Sequence, residues 1–115
     1  MPIRIVNDKI SHQELAEVAR ALFGDMAKAA VDIERGIMAL GGELHADEEA
    51  MLLQDGSRPE DVWGVNIYPD RPREEWIEFD SMINIRPAQR NRSRNVENPE
   101  IRGKIVQIVN KLIVS

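Results

Sequence analysis

The chain has 115 residues, of which 43% are hydrophobic and 30% charged, with a formal net charge of −5 and no cysteine. That length and balance suit one folded domain with one core, and the missing thiol excludes a disulfide scaffold, a cysteine nucleophile, an iron–sulfur cluster and thiolate zinc sites. Two histidines argue equally against a histidine-rich metal site, no apolar run approaches the ~18 residues of a membrane span, and the opening Met1-Pro-Ile-Arg-Ile-Val lacks the apolar centre of a signal peptide, so the expected location is the cytoplasm.

Residues 3–6 alternate apolar and polar as a short strand does. Ser11-His-Gln-Glu14 has the form of a capping box, and Leu15, Val18, Ala19 and Leu22 follow at helical spacing until Gly24. Residues 28–34 read as a strand with Ala29, Val31 and Ile33 on one face and Ala30, Asp32 and Glu34 on the other. A tight turn at Arg35-Gly36 leads into a second strand, Ile37 to Leu40, closed by Gly41-Gly42. From His45 to Gln54 the spacing predicts a short helix with Asp47, Glu48 and Glu49 in its first turn, where negative charge complements the dipole; a strand around 51–53 is the alternative.

Val62 to Tyr68 follows as a strand with Trp63, Val65 and Ile67 on one face, and residues 69–73 are turn material. Trp76 to Ile85 alternates over its whole length, with Ile77, Phe79, Ser81, Ile83 and Ile85 on one side, and reads as one long strand or two short ones. Pro87 stops it, an irregular loop runs to Glu97, and Asn98-Pro99 opens a last helix carrying Ile101, Ile105, Ile108, Val109 and Leu112.

This order is not the strict strand–helix alternation of a doubly wound sheet. It predicts one α+β domain over residues 1–115, an antiparallel or mixed sheet of four to five strands packed against N-terminal and C-terminal helices near 11–23 and 98–112. The expected core comprises Leu15, Val18, Leu22, Val31, Ile33, Ile77, Phe79, Ile105, Ile108 and Leu112.

Three strings carry a resemblance: Asp32-Ile-Glu-Arg-Gly-Ile-Met-Ala-Leu-Gly-Gly-Glu-Leu-His-Ala-Asp47, Trp63-Gly-Val-Asn66 and Glu78-Phe-Asp-Ser-Met-Ile-Asn-Ile-Arg-Pro87. With Gln89, Asn91, Arg92 and Ser93 before the last helix, they make nearly the whole chain similar to a family of small prokaryotic proteins classed as a domain of unknown function. The resemblance implies no activity, so no residue role comes with it. Met1-Pro2 ahead of a strand is also similar to the start of enzymes that use an amino-terminal proline as base, tautomerases among them. Those enzymes must lose Met1, and the last helix departs from their repeated β-α-β pattern.

Charge is uneven along the chain: residues 1–42 carry five basic and six acidic groups, 43–80 three and twelve, and 81–115 seven and two. An acidic middle and a basic end attract each other within one subunit or between two, which makes a homo-oligomer one expectation. A pI near 5.0 disfavours general affinity for nucleic acid and leaves only a local basic patch for it.

The glycines around Gly36-Ile-Met-Ala-Leu-Gly-Gly-Glu43 approach the spacing of a phosphate-cradling loop, but Gly42 and Glu43 stand where that loop needs Lys and then Ser or Thr. No cofactor motif is present. Two acidic constellations could serve acid–base or metal-assisted chemistry. One is the cluster around His45 and Asp47, whose oxygen ligands suit magnesium or manganese; the other is Asp32 and Glu34 facing Glu78 and Asp80 across paired strands. Glu34, His45, Asp47, Glu78 and Asp80 are therefore the catalytic candidates, set against a solvated helix start and a water-facing sheet surface. Arg86, Arg90, Arg92 and Arg94, interleaved with small polar residues ahead of a helix start, form the candidate site for a phosphate-containing ligand. The competing account ties them to the acidic middle. With no convincing nucleophile–base pair, the leading expectation is a non-catalytic binding or structural module.

Overall fold

In the computed structural model, which describes residues 2–115, five strands form an antiparallel sheet in the order β1-β4-β3-β5-β6. They are β1 (Arg4–Val6), β3 (Ala27–Asp32), β4 (Ile37–Leu40), β5 (Val62–Ile67) and β6 (Ile77–Glu78). A parallel pair of two-residue strands, β2 (Ile10–Ser11) and β7 (Ile113–Val114), closes the two ends of the chain on each other. Three helices, α1 (His12–Leu22), α2 (His45–Gln54) and α3 (Pro99–Leu112), complete an α+β architecture. The amino-terminal residue on which the proline-enzyme resemblance turns, Met1, lies outside the described residues.

Local chemistry sets the ends of α1 and α3. Ser11 Oγ accepts from the Glu14 amide at 3.0 Å while Glu14 accepts from the Ser11 amide at 3.2 Å, the reciprocal capping box that satisfies two otherwise orphaned donors. Asn98 Oδ1 accepts from the Glu100 amide at 2.8 Å, and Pro99 at the first helical position lacks only an N–H the helix cannot use. Leu15, Val18 and Ala19 of α1 and Ile105, Val109 and Leu112 of α3 share one core with Ala29, Val31, Met38, Leu40, Trp63, Val65 and Ile67 of the sheet. Leu22, Ile33, Ile77, Phe79 and Ile108, expected inside, are partly buried against that core.

The opposite face of the sheet is also covered. Leu52 of α2 packs with Ala30, Ile37, Ala39 and Val62, so Ala30 and Asp32, expected towards water, are fully buried. This is why β4 and β5 are buried along their whole length.

Two strand boundaries differ from expectation. The strand predicted over 28–34 ends at Asp32, because Asp32 Oδ1 accepts from the amides of Glu34 and Arg35, each at 2.9 Å. This side-chain turn, finished by Gly36 at φ +70°, places Glu34 in the connection to β4. The strand predicted over 76–85 pairs with β5 only through Ile77 and Glu78. Beyond it a short 3-10 turn, Met82–Asn84, brings the Asn84 side chain to the sheet edge, where it accepts from Gly64 N at 2.8 Å and donates to Gly64 O at 3.0 Å. One amide side chain thus replaces a strand at the next bonding position of β5.

Candidate functional site

Beside the apolar patch around Leu52, buried polar side chains gather at the start of α2, the free edge of β5 and the loop before α3. His45, Glu48, Asn66, Ser81, Asn84 and Asn91 are all buried, and each has at least one hydrogen bond that fixes a loop or a sheet edge. Asn91 organises the whole connection to α3: its amide donates to Asn84 O at 2.7 Å and Asn95 O at 2.6 Å, and its Oδ1 accepts from Glu97 N at 2.8 Å. Glu97 in turn accepts from the amides of Arg92 and Ser93 and from the Ser93 hydroxyl, which hold its carboxyl below the usual range.

A cleft of about 150 Å³ opens between the start of α2 and this loop, lined by Lys28, Leu44, His45, Ala46, Ser81, Met82, Ile83 and Arg94. His45 forms its inner wall. Its Nε2 is 2.8 Å from Val65 O, and because a carbonyl only accepts, Nε2 carries the proton and Nδ1 keeps its lone pair. Burial is the largest influence on the ring and lowers its pKa; the Val65 hydrogen bond opposes this, Lys28 and Arg94 add to it and Asp80 opposes it. Arg94 reaches the cleft through an ion pair of its Nε with Asp80 at 2.6 Å, and its terminal nitrogens have no partner among the described residues. Ser81 Oγ and His45 Cδ2 both approach Gly64, and among the described residues no hydrogen bond joins the Ser81 hydroxyl to either ring nitrogen. Without that hydrogen bond the two do not form a nucleophile–base dyad.

The catalytic candidates are separated by this geometry. Glu34 sits in the β3–β4 turn, at the opposite end of β3 from Lys28, whose partner across β5 and β6 is Glu78. The carboxylates expected to gather across paired strands do not meet, because Asp32 pairs with Val62 and Glu78 with Asn66, at opposite ends of β5. Glu78 accepts from Asn66 at 2.8 Å and from the Tyr68 hydroxyl at 3.1 Å, Asp47 is exposed, and of the catalytic candidates only His45 lines the cleft, Asp80 standing behind it through its pair with Arg94. Among the described residues no group of three or more His, Asp or Glu side chains is placed to hold a metal ion.

The four arginines are distributed. Arg86 pairs with Glu49 at 3.3 Å, donates to Ile83 O at 2.9 Å and to Val62 O, and lies over the Trp63 ring at 4.7 Å. Burial lowers its pKa and raises that of Glu49, each opposed by the other's charge. Arg90 and Arg92 are exposed and have no ion pair among the described residues. Arg94 alone of the four lines the cleft.

Lys28, Ser81 and Gly64 were not singled out from the sequence. Gly64 carried the one available signal, a glycine inside an otherwise bulky strand, which marks close approach of another group. A Cβ there would lie 2.5 Å from Ser81 Oγ.

A family model described as a protein of unknown function (DUF5674) matches residues 4–112. No curated protein and no solved structure matches the chain. Among the described residues no helix is long and apolar enough to cross a membrane. With nearly its whole length matched, the chain belongs to the DUF5674 family, a family of unknown function.

Proposed function

We propose that this protein is a non-catalytic binding module of the cytoplasm that holds a small anionic group, a carboxylate or a phosphate, in the cleft beside His45. One observation carries the reading: Lys28 and Arg94 line the cleft, no carboxylate does, and the terminal nitrogens of Arg94 are uncommitted among the described residues. The volume of about 150 Å³ is below the roughly 300 Å³ at which whole small-molecule sites begin, so the cleft takes the charged end of a ligand. Leu44 and Met82 on its rim, 58% and 65% exposed, suit an apolar remainder. The Nδ1 lone pair of His45 is an acceptor for a ligand O–H.

Calorimetric titration with propionate and with inorganic phosphate at low salt tests this. Arg94→Ala and Lys28→Ala each weaken binding by about ten-fold, the value of one charge-assisted hydrogen bond, and added salt weakens it further. Arg90→Ala and Arg92→Ala leave it unchanged. Loss of binding in those two variants, with Arg94→Ala inert, places the anion on the exposed loop and overturns the reading.

The same two apolar side chains favour a second reading, self-association through this face. Under it, Met82→Glu lowers the mass measured by light scattering; an unchanged mass removes it.

A further inference from the structure

A second cavity, of about 340 Å³, shares no lining residue with the first and is bounded by His12, Pro69, Arg71, Arg73, Trp76 and Ser115. Its walls are fixed before any ligand arrives. The His12 ring stacks on Trp76 with centroids 5.4 Å apart and planes 13° from parallel, and its Nε2 donates to Pro69 O at 2.7 Å. Trp76 Nε1 donates to Arg71 O at 2.8 Å. Both rings thereby hold the turn that carries Arg71.

The Arg71 guanidinium lies 3.7 Å from the centroid of Tyr68, and that of Arg73 lies 3.9 Å from the centroid of Trp76. Stacking fixes the plane of a guanidinium and leaves its N–H edge free. Arg73 spends part of that edge on Asn110 Oδ1 at 3.4 Å and Ile113 O at 3.1 Å. Among the described residues the Arg71 side chain has no hydrogen-bond partner and neither arginine forms an ion pair. Such an arrangement loses side-chain freedom without neutralising its charge, which is the preparation an anion site needs.

From this geometry we infer that the cavity binds a phosphorylated small molecule, with Arg71 and Arg73 gripping its phosphate oxygens. The volume exceeds that of a bare phosphate and stands at the lower end of small-molecule sites, so it admits a body attached to the phosphate. The body is not a nucleobase: Trp76 is 4% exposed, already covered by His12 and Arg73, and offers no ring face for stacking.

The test uses the full chain carrying Lys28→Ala and Arg94→Ala, so that binding at the cleft beside His45 is weakened and the Trp76 signal reports this cavity. Inorganic pyrophosphate, ribose 5-phosphate and adenosine monophosphate are titrated while the Trp76 indole N–H is followed by NMR. The expected result is a saturable shift of that resonance with all three, ribose 5-phosphate and the nucleotide binding within a few fold of each other. Arg71→Gln weakens all three by about ten-fold or more, and Arg71→Lys, which keeps the charge without the fork, falls between. Circular dichroism on both variants verifies that they fold, which exposed Arg71 permits. An indole resonance unmoved at millimolar ligand, or affinity unchanged in Arg71→Gln, overturns the site. A nucleotide bound more than ten-fold better than ribose 5-phosphate overturns the assigned class.

Discussion

At the scale of single residues, the buried polar cluster beside α2 depends on positions where a side chain does the work of backbone. Asn84 continues the edge of β5, Asn91 gathers three carbonyls, and Asp32 Oδ1 closes the β3–β4 turn. Gly64 makes room for this cluster, since an added Cβ would lie 2.6 Å from Ser81 Cβ and 3.1 Å from His45 Cδ2. Gly64→Ala must therefore push the 81–84 turn outward; we expect a loss of about 2 kcal/mol, a fall in Tm of roughly 10 °C, together with weaker anion binding at the cleft. Gly103 is the control, because nothing lies within 4 Å of its missing Cβ in the exposed middle of α3. Gly103→Ala should raise stability by about 0.5–1 kcal/mol. Thermal melts of the two variants check both signs, and a neutral Gly64→Ala would show that the turn yields freely.

Among the elements, α1 and α3 were legible in the sequence because their caps and apolar periods are written in adjacent residues. The position of α2 was not. Its buried stripe is His45, Glu48 and Leu52, two of them polar, so no apolar period marks the face that covers the sheet. The strand after Trp76 is shorter than its alternation predicts for a related reason: alternation persists through Ile85, but Asn84 takes the bonding position at Gly64 and the chain turns away.

Burial of Glu48 has a measurable consequence. Its Oε2 accepts from Gly42 N at 3.0 Å, its Oε1 has no partner among the described residues, and burial drives its pKa up to about 9 against hydrogen bonding from Gly42 and Gly41 and the charge of Lys28. Folded Glu48 keeps its proton to about 9 while the unfolded chain releases it near the ordinary 4.5. Its contribution is full below the lower value and is lost as pH rises towards the higher one. His45, lowered from 6.5, acts in the opposite sense, stabilising above that value and less as pH falls through its folded pKa. Above 6.5, then, the Glu48 slope dominates the pair. Glu48→Gln should melt several degrees above the parent at about pH 8 and coincide with it at about pH 5. Parallel melting curves of the two proteins across that window would contradict a buried neutral carboxyl.

Across the whole molecule, the uneven charge has a local expression. The basic last third meets the acidic middle through Arg86–Glu49 and Arg94–Asp80, so part of the attraction readable in the sequence is satisfied within one chain. The cleft beside His45 was not readable in the same way. It draws Lys28 from β3, His45 from α2, Ser81 from the approach to a turn and Arg94 from the loop before α3, and only the sheet register brings residues so far apart in sequence to one place. The sequence marks His45, Asp80 and Arg94 by residue type and neighbours, whereas nothing local marks Lys28 and Ser81, which complete the wall. The most direct measurement of this account is the ring-nitrogen NMR spectrum of His45, recorded at about pH 7.5, above the ordinary 6.5 from which burial lowers it, while inorganic phosphate is added. The account predicts a neutral Nε2–H ring at the start and, as the anion fills the cleft, saturable protonation of Nδ1, because a neighbouring negative charge favours the imidazolium. A His45 spectrum that stays neutral and unmoved through the titration would contradict it.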